Sequence, residues 1–469
     1  MARKRSIALA AGTLAALTAL ALTAVPSATA QNTHRSGPGN VFVYRIPTHT
    51  AADAQTLTGA GFDLLEHRQG DDLFVLGDAR DGTRLRLLGF TPTVERTMPD
   101  PAQAPLQLRP RSGQLAAGDP NETYDGGYHT VNAHYAHLDQ VASQHPDLAT
   151  VVTYGQSWRK QNGRPGGYDL KAVCITKRTG NDCSLSPNSA KPRFFLMSQI
   201  HAREITTGET SWRWIDHLTG GYGTDQDVTA LLDSTELWVV PIANPDGVDI
   251  VQQGGDNPLY QRKNADDSNG SACDFSGQIG VDLNRNAGTH WGGLGTSPDP
   301  CSEIYLGPQA DSEVENTALE GLFRNLYPAV RGPGDTDPAP ADTRGIMITL
   351  HSDASMVIFP WAHDHTVHTG NDAALRALAG KLGTLTNYQS GQAGEILYDA
   401  AGGTDDWVYD KLGTASFTIE VGDSDSRGCS GFMPAYSCQD SYFWPKMKTA
   451  LMYAATHAQA PYTTTATDG

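Results

Sequence analysis

Positive charge is scarce in this chain of 469 residues: 34 Lys and Arg stand against 52 Asp and Glu, a formal balance of -18. An acidic surface repels phosphates, which argues against a nucleic-acid or anionic-membrane partner. Long apolar runs are scarce too. After residue 30 no segment holds eighteen uninterrupted apolar residues, so the mature chain is expected to carry no membrane span. Cysteines number six, at 174, 183, 273, 301, 429 and 438, and no two have C-x2-C spacing, which argues against a zinc-thiolate framework. H-E-x-x-H is absent as well, which removes the commonest helical zinc-protease pattern.

What is present begins with the leader. "MARKRSIALAAGTLAALTALALTAVPSATA" opens on Arg3, Lys4 and Arg5, continues as an apolar run and closes on Ala28-Thr29-Ala30. This predicts a secretory signal peptide over 1–30; the alternative, a transmembrane helix, lacks such ends. Its removal takes away three positive and no negative charges, moving the balance from -18 to -21. Such a surface draws cationic solutes, basic peptides included, at low salt. Secretion also suits the cysteines: an even number in three neighbouring couples predicts disulfides, nearest-neighbour pairing being one scheme among several.

Residues 41–98 predict a small α+β unit, with strands at "VFVYRIP", "FDLLEH", "LFVLG" and "RLRLLGF" and a helix at "TAADAQTLTGAG". A Pro-rich passage containing Arg109 and Arg111 follows, with no periodicity, and reads as an exposed, cuttable linker. The expected organisation is a signal peptide at 1–30, a pro-domain at 31–98, a linker or activation segment at 99–118 and a catalytic domain at 119–460. In the last, "RFFLMSQI", "ELWVVPIANP", "GIMITLH" and "SFTIEV" are apolar runs of strand length. They alternate with helix candidates such as "YHTVNAHYAHLDQVASQHP" and "DAALRALAGKLGTLT". That pattern predicts an α/β domain around a mainly buried sheet, with an exposed insertion at 330–344.

Active sites in such sheets lie beyond the carboxyl ends of strands. Three predicted strand ends carry ionisable groups: "LMSQI" delivers His201 and Glu204, "IMITL" delivers His351, and "SFTI" delivers Glu420. Two imidazoles, one carboxylate and an open fourth position form the ligand set of a catalytic zinc hydrolase, and a second carboxylate can take a proton from the metal's water. H-x-x-E alone also reads as a local pair at a helix start. "WAHDHTVH", with His363, His365 and His368, is a competing metal candidate in a polar loop.

Several motifs occur in one order: "HARE" (201–204), "VVPIANPDGV", "YQRKN", "VDLNRN", "GPQADSEVE" and "LYDAAGGTDDWVYDKLGTASFTIEVGD". Over roughly residues 120–455 the chain resembles the zinc metallocarboxypeptidases of the carboxypeptidase A/B/T family, made as secreted zymogens. The resemblance implies a mixed twisted β-sheet flanked by helices, preceded by a small α+β pro-domain. It implies one zinc ion held by His201, Glu204 and His351, with a zinc-bound water as nucleophile. Glu420 would be the general base and Arg262 the oxyanion stabiliser, although Gln261 stands where the family has tryptophan. Asn284 and Arg285 would grip the substrate's terminal carboxylate, Tyr398 would close over it, and Arg203 would touch substrate further from the cut. Asp405, seven residues past Tyr398, would lie at the base of the side-chain pocket. An acidic group there rewards Lys or Arg, and hydrophobic ends stay open as further substrates. Asp353 replaces an aromatic expected two positions after His351. The implied partners are peptides or proteins with a free C-terminus and a protease that activates the monomeric precursor at the linker. Calcium stays open as a stabiliser. A related amidohydrolase and a binding protein without catalysis are the other two readings. The clamp, the tyrosine and the pro-domain favour the peptidase over the first, and Glu420 and Arg262 favour it over the second.

Overall fold

Four apolar runs form the middle of a twisted eight-stranded sheet in the computed structural model, which describes residues 41–48, 50–98, 118–269 and 278–463. The strands of this sheet are β7 (Ala149–Gln156), β8 (Asp169–Ile175), β9 (Arg193–Ser198), β10 (Glu236–Val240), β11 (Ile346–His351), β12 (Met356–Ile358), β13 (Gln389–Gly391) and β14 (Ala415–Glu420), in the spatial order β13-β12-β14-β11-β9-β10-β8-β7. The central neighbours β14, β11, β9 and β10 pair in parallel, while β7 and β8 run antiparallel to their partners and β12 is antiparallel to β14 but parallel to β13, so the sheet is mixed. Every residue of β9, β10, β11 and β14 is buried, because helices cover both faces; this is why these strands read as unbroken apolar runs. One face packs Phe194, Leu196, Ile348 and Phe417 with Trp214, and the other packs Phe195, Met197 and Met347 with Phe323 and Trp407.

The helices start and stop on local signals. Asn244 caps Pro245–Gln252 by accepting from Gly247 N at 3.0 Å, with proline at the first turn, which gives "NPDG" a mechanical meaning. Thr404–Leu412 ends on Gly413 at φ 77°, a left-handed cap. The long helix candidate beginning at Tyr128 runs only over Val131–Gln144, since Tyr128–His129 (β6) pairs with Thr123–Tyr124 (β5) in a short hairpin. Disulfides join Cys174 to Cys183 and Cys429 to Cys438, as nearest-neighbour pairing expects. Cys301 is also disulfide-bonded, while Cys273 lies outside the described residues. So do the leader and almost all of the 99–118 linker. Among the described residues no helix is long and apolar enough to cross a membrane.

The leading segment forms its own four-stranded antiparallel sheet, ordered β2-β3-β1-β4, from β1 (Val41–Pro47), β2 (Asp63–Gln69), β3 (Asp72–Gly77) and β4 (Thr93–Met98). Helices Ala51–Gly59 and Ala79–Leu87 complete it. "RLRLLGF" is therefore a helix end and not a strand. Arg84-Leu85-Arg86-Leu87 alternates at a period of two, but Asp78 caps the segment, accepting from Arg80 N and Asp81 N, and only Leu85 of that alternation is buried. The fourth strand comes later, at Thr93. All described residues belong to one compact unit, so this small sheet and the large one share a buried cluster that includes Leu64, Met356, Ile396 and Tyr398.

Candidate metal centre and carboxylate clamp

The ends of β9, β11 and β14 lie side by side. His351 and Glu420 are register partners at the last positions of β11 and β14, and Leu350 pairs with Ser198 at the end of β9. Beyond Ser198 the chain turns, held by Asn244, whose amide donates to Ile200 O at 3.1 Å, and by Arg262, whose carbonyl accepts from Ala202 N at 3.0 Å. That turn brings His201 and Glu204 against His351. Glu204 Oε1 lies 2.7 Å from His201 Nδ1, Glu204 Oε2 lies 3.2 Å from His351 Nδ1, and the two Nδ1 atoms are 3.1 Å apart. All three residues are buried.

His201 Nε2 pairs with Asp282 Oδ1 at 3.1 Å, which fixes the tautomer that leaves a lone pair on Nδ1. His351 Nε2 and Glu420 Oε2 are buried without hydrogen-bond partners among the described residues. Lone pairs facing one another at this range repel unless a cation sits between them. Ligand atoms around a tetrahedral zinc with bonds of about 2.0–2.1 Å are roughly 3.3 Å apart, close to the spacings here. The residues fit a zinc ion.

Two guanidiniums border this cluster. Arg262 donates through Nε to Asp282 Oδ2 at 3.0 Å, so one carboxylate holds both His201 and Arg262. Arg285 donates through Nε to Gly295 O at 2.8 Å and through Nη1 to Asn284 O at 2.9 Å, and Tyr398 Oη lies 3.5 Å from its Nη2. Asn284 Oδ1 accepts from Thr404 N at 3.0 Å. A Cβ on Gly402, at φ 75°, would meet Arg285 O at 2.4 Å, so glycine is required at 402 for this turn to close. Gln261, in place of tryptophan, donates to the carbonyls of Lys263, Asn264 and Ile279 and still leaves Arg262 in place.

The electrostatics follow from burial. Burial, and then the carboxylates of Glu66 and Glu204, push Glu420 well above the usual carboxylate range. Burial pushes Asp405 up to about 7, with Asp406 adding to it. Asp405 Oδ2 accepts from Thr418 Oγ1 at 2.9 Å and Oδ1 from Asp406 N at 3.0 Å. Arg203 stands apart from the metal ligands: it is paired through Nη1 with both oxygens of Glu303 at 2.8 Å and sandwiched between Tyr260 and Phe432. Asp353, buried in place of the expected aromatic, accepts from Gly431 N.

The competing histidine loop does not converge. His365 pairs with Asp399 at 2.9 Å and His368 with Gln392 at 2.6 Å. His363 instead joins Asp406 and His290, from other segments, in a group whose ligand atoms lie within 4.8 Å of one another, with its ring stacked on that of His290 at 3.5 Å and 8°.

Sequence reasoning assigned no role to Asp282, Glu303 or Glu66. Asp282 opens the "DLNRN" motif and so was within sight. Glu66 lies on β2 of the leading domain and reaches the site itself: Arg262 Nη1 and Nη2 donate to its two oxygens at 2.7 and 2.9 Å, and Arg285 Nη2 lies at 3.3 Å.

A mixed sheet with two imidazoles and a carboxylate at its strand ends, beside a further buried carboxylate and two guanidiniums, describes a metal-dependent hydrolase. Residues 134–448 match the zinc carboxypeptidase family model. Carboxypeptidase A2 of Mus musculus is 30% identical over 341 residues, 71% of each chain. Carboxypeptidase B of Bos taurus is 30% identical over 304 residues, 64% of this chain and 63% of that one, so the match spans slightly less than two thirds of that relative. The crystal structure of carboxypeptidase A from Helicoverpa armigera superimposes with a TM-score of 0.66 over 90% of this chain and 98% of that chain, at 22% identity. The chain belongs to the zinc carboxypeptidase family and so to the hydrolases.

Proposed function

We propose that the protein is a secreted carboxypeptidase that hydrolyses the last peptide bond of peptides and proteins, removing C-terminal Lys or Arg well and hydrophobic residues to a degree that the assay below measures. The observation that carries this is the meeting of the donor set of His201, Glu204 and His351 with Glu420, Arg262 and Arg285 in one buried site. When bound by those three ligands, zinc polarises the scissile carbonyl and lowers the pKa of a water toward neutrality. Glu420 takes a proton from the attacking water and returns it to the leaving amine. Arg262 faces the carbonyl oxygen as negative charge grows on it. Arg285, with Asn284 beside it, holds the terminal carboxylate, and Tyr398 closes over it; a longer chain has no carboxylate to offer, which makes the activity an exopeptidase one. Asp405, buried with no cation as partner among the described residues, receives the Lys or Arg side chain. Arg203, locked by Glu303, contributes to an upstream subsite.

Residues 31–98 act as a pro-domain, 99–118 as the segment an activating protease cuts, and 119–460 as the catalytic domain. The leader over 1–30 and the disulfides support export. Glu66 supports the zymogen reading, because its carboxylate holds the two guanidiniums that substrate needs.

The test is to cut the linker and compare kcat/KM for matched blocked dipeptides ending in Arg and in Leu, with and without zinc removal. Chelator-sensitive release of Arg well above Leu is expected. Comparable rates would keep the catalysis and give the pocket dual specificity. No release of either residue with zinc bound would overturn the peptidase and leave the amidohydrolase.

A further inference from the structure

Glu66 sits on a strand that places it with unusual firmness. β2 is an edge strand of the small sheet, and its pairing with β3 is interrupted between Leu64 and Arg68, which frees the intervening residues from the ladder. Of the two residues just before Glu66, Leu64 is buried in the cluster with Tyr398 and Met356, and Leu65 is buried in the cluster with Phe432. Arg68 Nη1 donates to Leu397 O at 3.3 Å and Tyr398 Oη to Leu64 O at 3.5 Å, tying the strand to the segment that carries Tyr398. The Glu66 side chain enters the site between these anchors and is itself buried.

There its two oxygens have different surroundings. Oε1 faces Arg262 Nη2 and Arg285 Nη2, at 2.9 and 3.3 Å. Oε2 faces Arg262 Nη1 at 2.7 Å and His201 Nδ1 at 3.4 Å. The last distance is the edge of a zinc tetrahedron, roughly 3.3 Å for bonds of about 2.0–2.1 Å. Glu66, His201, Glu204 and His351 each offer one ligand atom, and these atoms all lie within 4.8 Å of one another. A catalytic zinc site has three protein ligands and one open position, whereas a closed site has four.

We propose that Glu66 is the fourth zinc ligand of the intact chain, binding through Oε2 while Arg262 and Arg285 hold Oε1. The leading domain silences the site by direct coordination as well as by covering it. This rests on the reading of His201, Glu204 and His351 as the zinc ligands. Zinc binding and docking of the leading domain then strengthen one another by the same factor. The intact chain holds zinc more tightly than the processed enzyme, and activation must break a metal–carboxylate bond as well as ion pairs.

The experiment compares zinc affinity, by chelator competition, and the visible spectrum of the cobalt-substituted protein in three forms: intact chain, processed enzyme, and intact chain carrying Glu66→Gln. The expected result is at least about tenfold tighter zinc in the intact wild type than in the processed enzyme, in the range lost when a group that supports a metal site is removed. Glu66→Gln should lose that gain and change the cobalt spectrum. Glu66→Asp, which keeps the charge but is one methylene shorter, should behave the same way and serves if the glutamine variant does not fold. Equal zinc affinity in intact and processed wild type overturns the proposal without any variant, as does an unchanged affinity and spectrum in both variants. Peptidase activity of the processed wild type is read separately. Its absence would overturn the proposed function, and its presence beside an unaltered spectrum would overturn only the role of Glu66.

Discussion

Glu420 and Asp405 are both buried carboxylates, yet their surroundings set them different tasks. Glu420 is the register partner of a zinc-ligand candidate, has an oxygen without a hydrogen-bond partner among the described residues, and is pushed up by burial and by Glu66 and Glu204, which suits the proposed role of general base. Replacing it with Gln in the processed enzyme should lower kcat by about 10²–10⁴-fold while zinc content and KM change little. A variant with near-normal kcat would move the proton to another group. Asp405 is raised to about 7 by burial and Asp406, so in the free enzyme it is neutral below that pH and anionic above it. The ratio of kcat/KM for Arg-ending over Leu-ending substrates should therefore rise as pH passes through about 7. Asp405→Asn should flatten that rise and lower the Arg rate by roughly 30- to 5000-fold, the range for breaking a buried charge pair. A ratio that is flat from acid to alkaline pH in the wild type would place the specificity elsewhere.

At the scale of elements, the short turn Leu283–Arg285 organises more of the site than any strand. Asp282 caps it, accepting from Asn284 N at 2.9 Å, and the same side chain orients His201 and Arg262. Asp282→Asn should weaken zinc binding in the processed enzyme by about 10–100-fold, measured by chelator competition, and lower kcat/KM as Arg262 loses its ion pair. The meeting of His201, Glu204, His351 and Glu420 was legible in the sequence for a physical reason. Strands buried on both faces are unbroken apolar runs, so His201, His351 and Glu420 stand out at their ends. Period alone misled where a helix had alternating Arg and Leu, at 84–87, and there the capping pair Asp78 and Asp81 was the better signal. Glu66 carried no local signal. Its meaning depends on Arg262, which lies far along the chain and meets it only once two sheets have docked.

For the whole molecule, acidity is stored inside as well as outside. Burial pushes Glu313 up to about 7, with Asp266 adding to it, Glu315 to about 8, with Asp246, and Glu320 to about 8, with Asp311. The first two converge on Asn264, whose amide donates to Glu313 at 2.6 Å and to Glu315 at 3.2 Å, and all three lie away from the metal ligands on or beside the helix Val314–Leu326. The sign follows from linkage. These groups hold their protons in the folded state at pH values where the unfolded chain, with carboxyls near 4.3, has released them. Through these three groups folding binds protons between about pH 4.5 and 8 and stability falls as pH rises, a trend that His134, lowered to about 3 by burial, opposes only up to about pH 6.5. Carboxylates that the fold holds low, such as Asp282 and Glu209, lose their contribution only as pH falls below the ordinary carboxylate range, so they do not oppose the trend there. The processed, zinc-loaded enzyme should melt a few degrees lower at pH 8 than at pH 5.5, roughly what a change of one or two kcal/mol produces in a large domain. Glu315→Gln, which stays neutral at every pH and can still accept from Trp158 N as Glu315 does at 2.6 Å, should shrink that difference. A melting temperature that rises across the same interval, or a variant with the wild-type slope, would mean that the buried acids keep their charge and that cations in the fold have matched it.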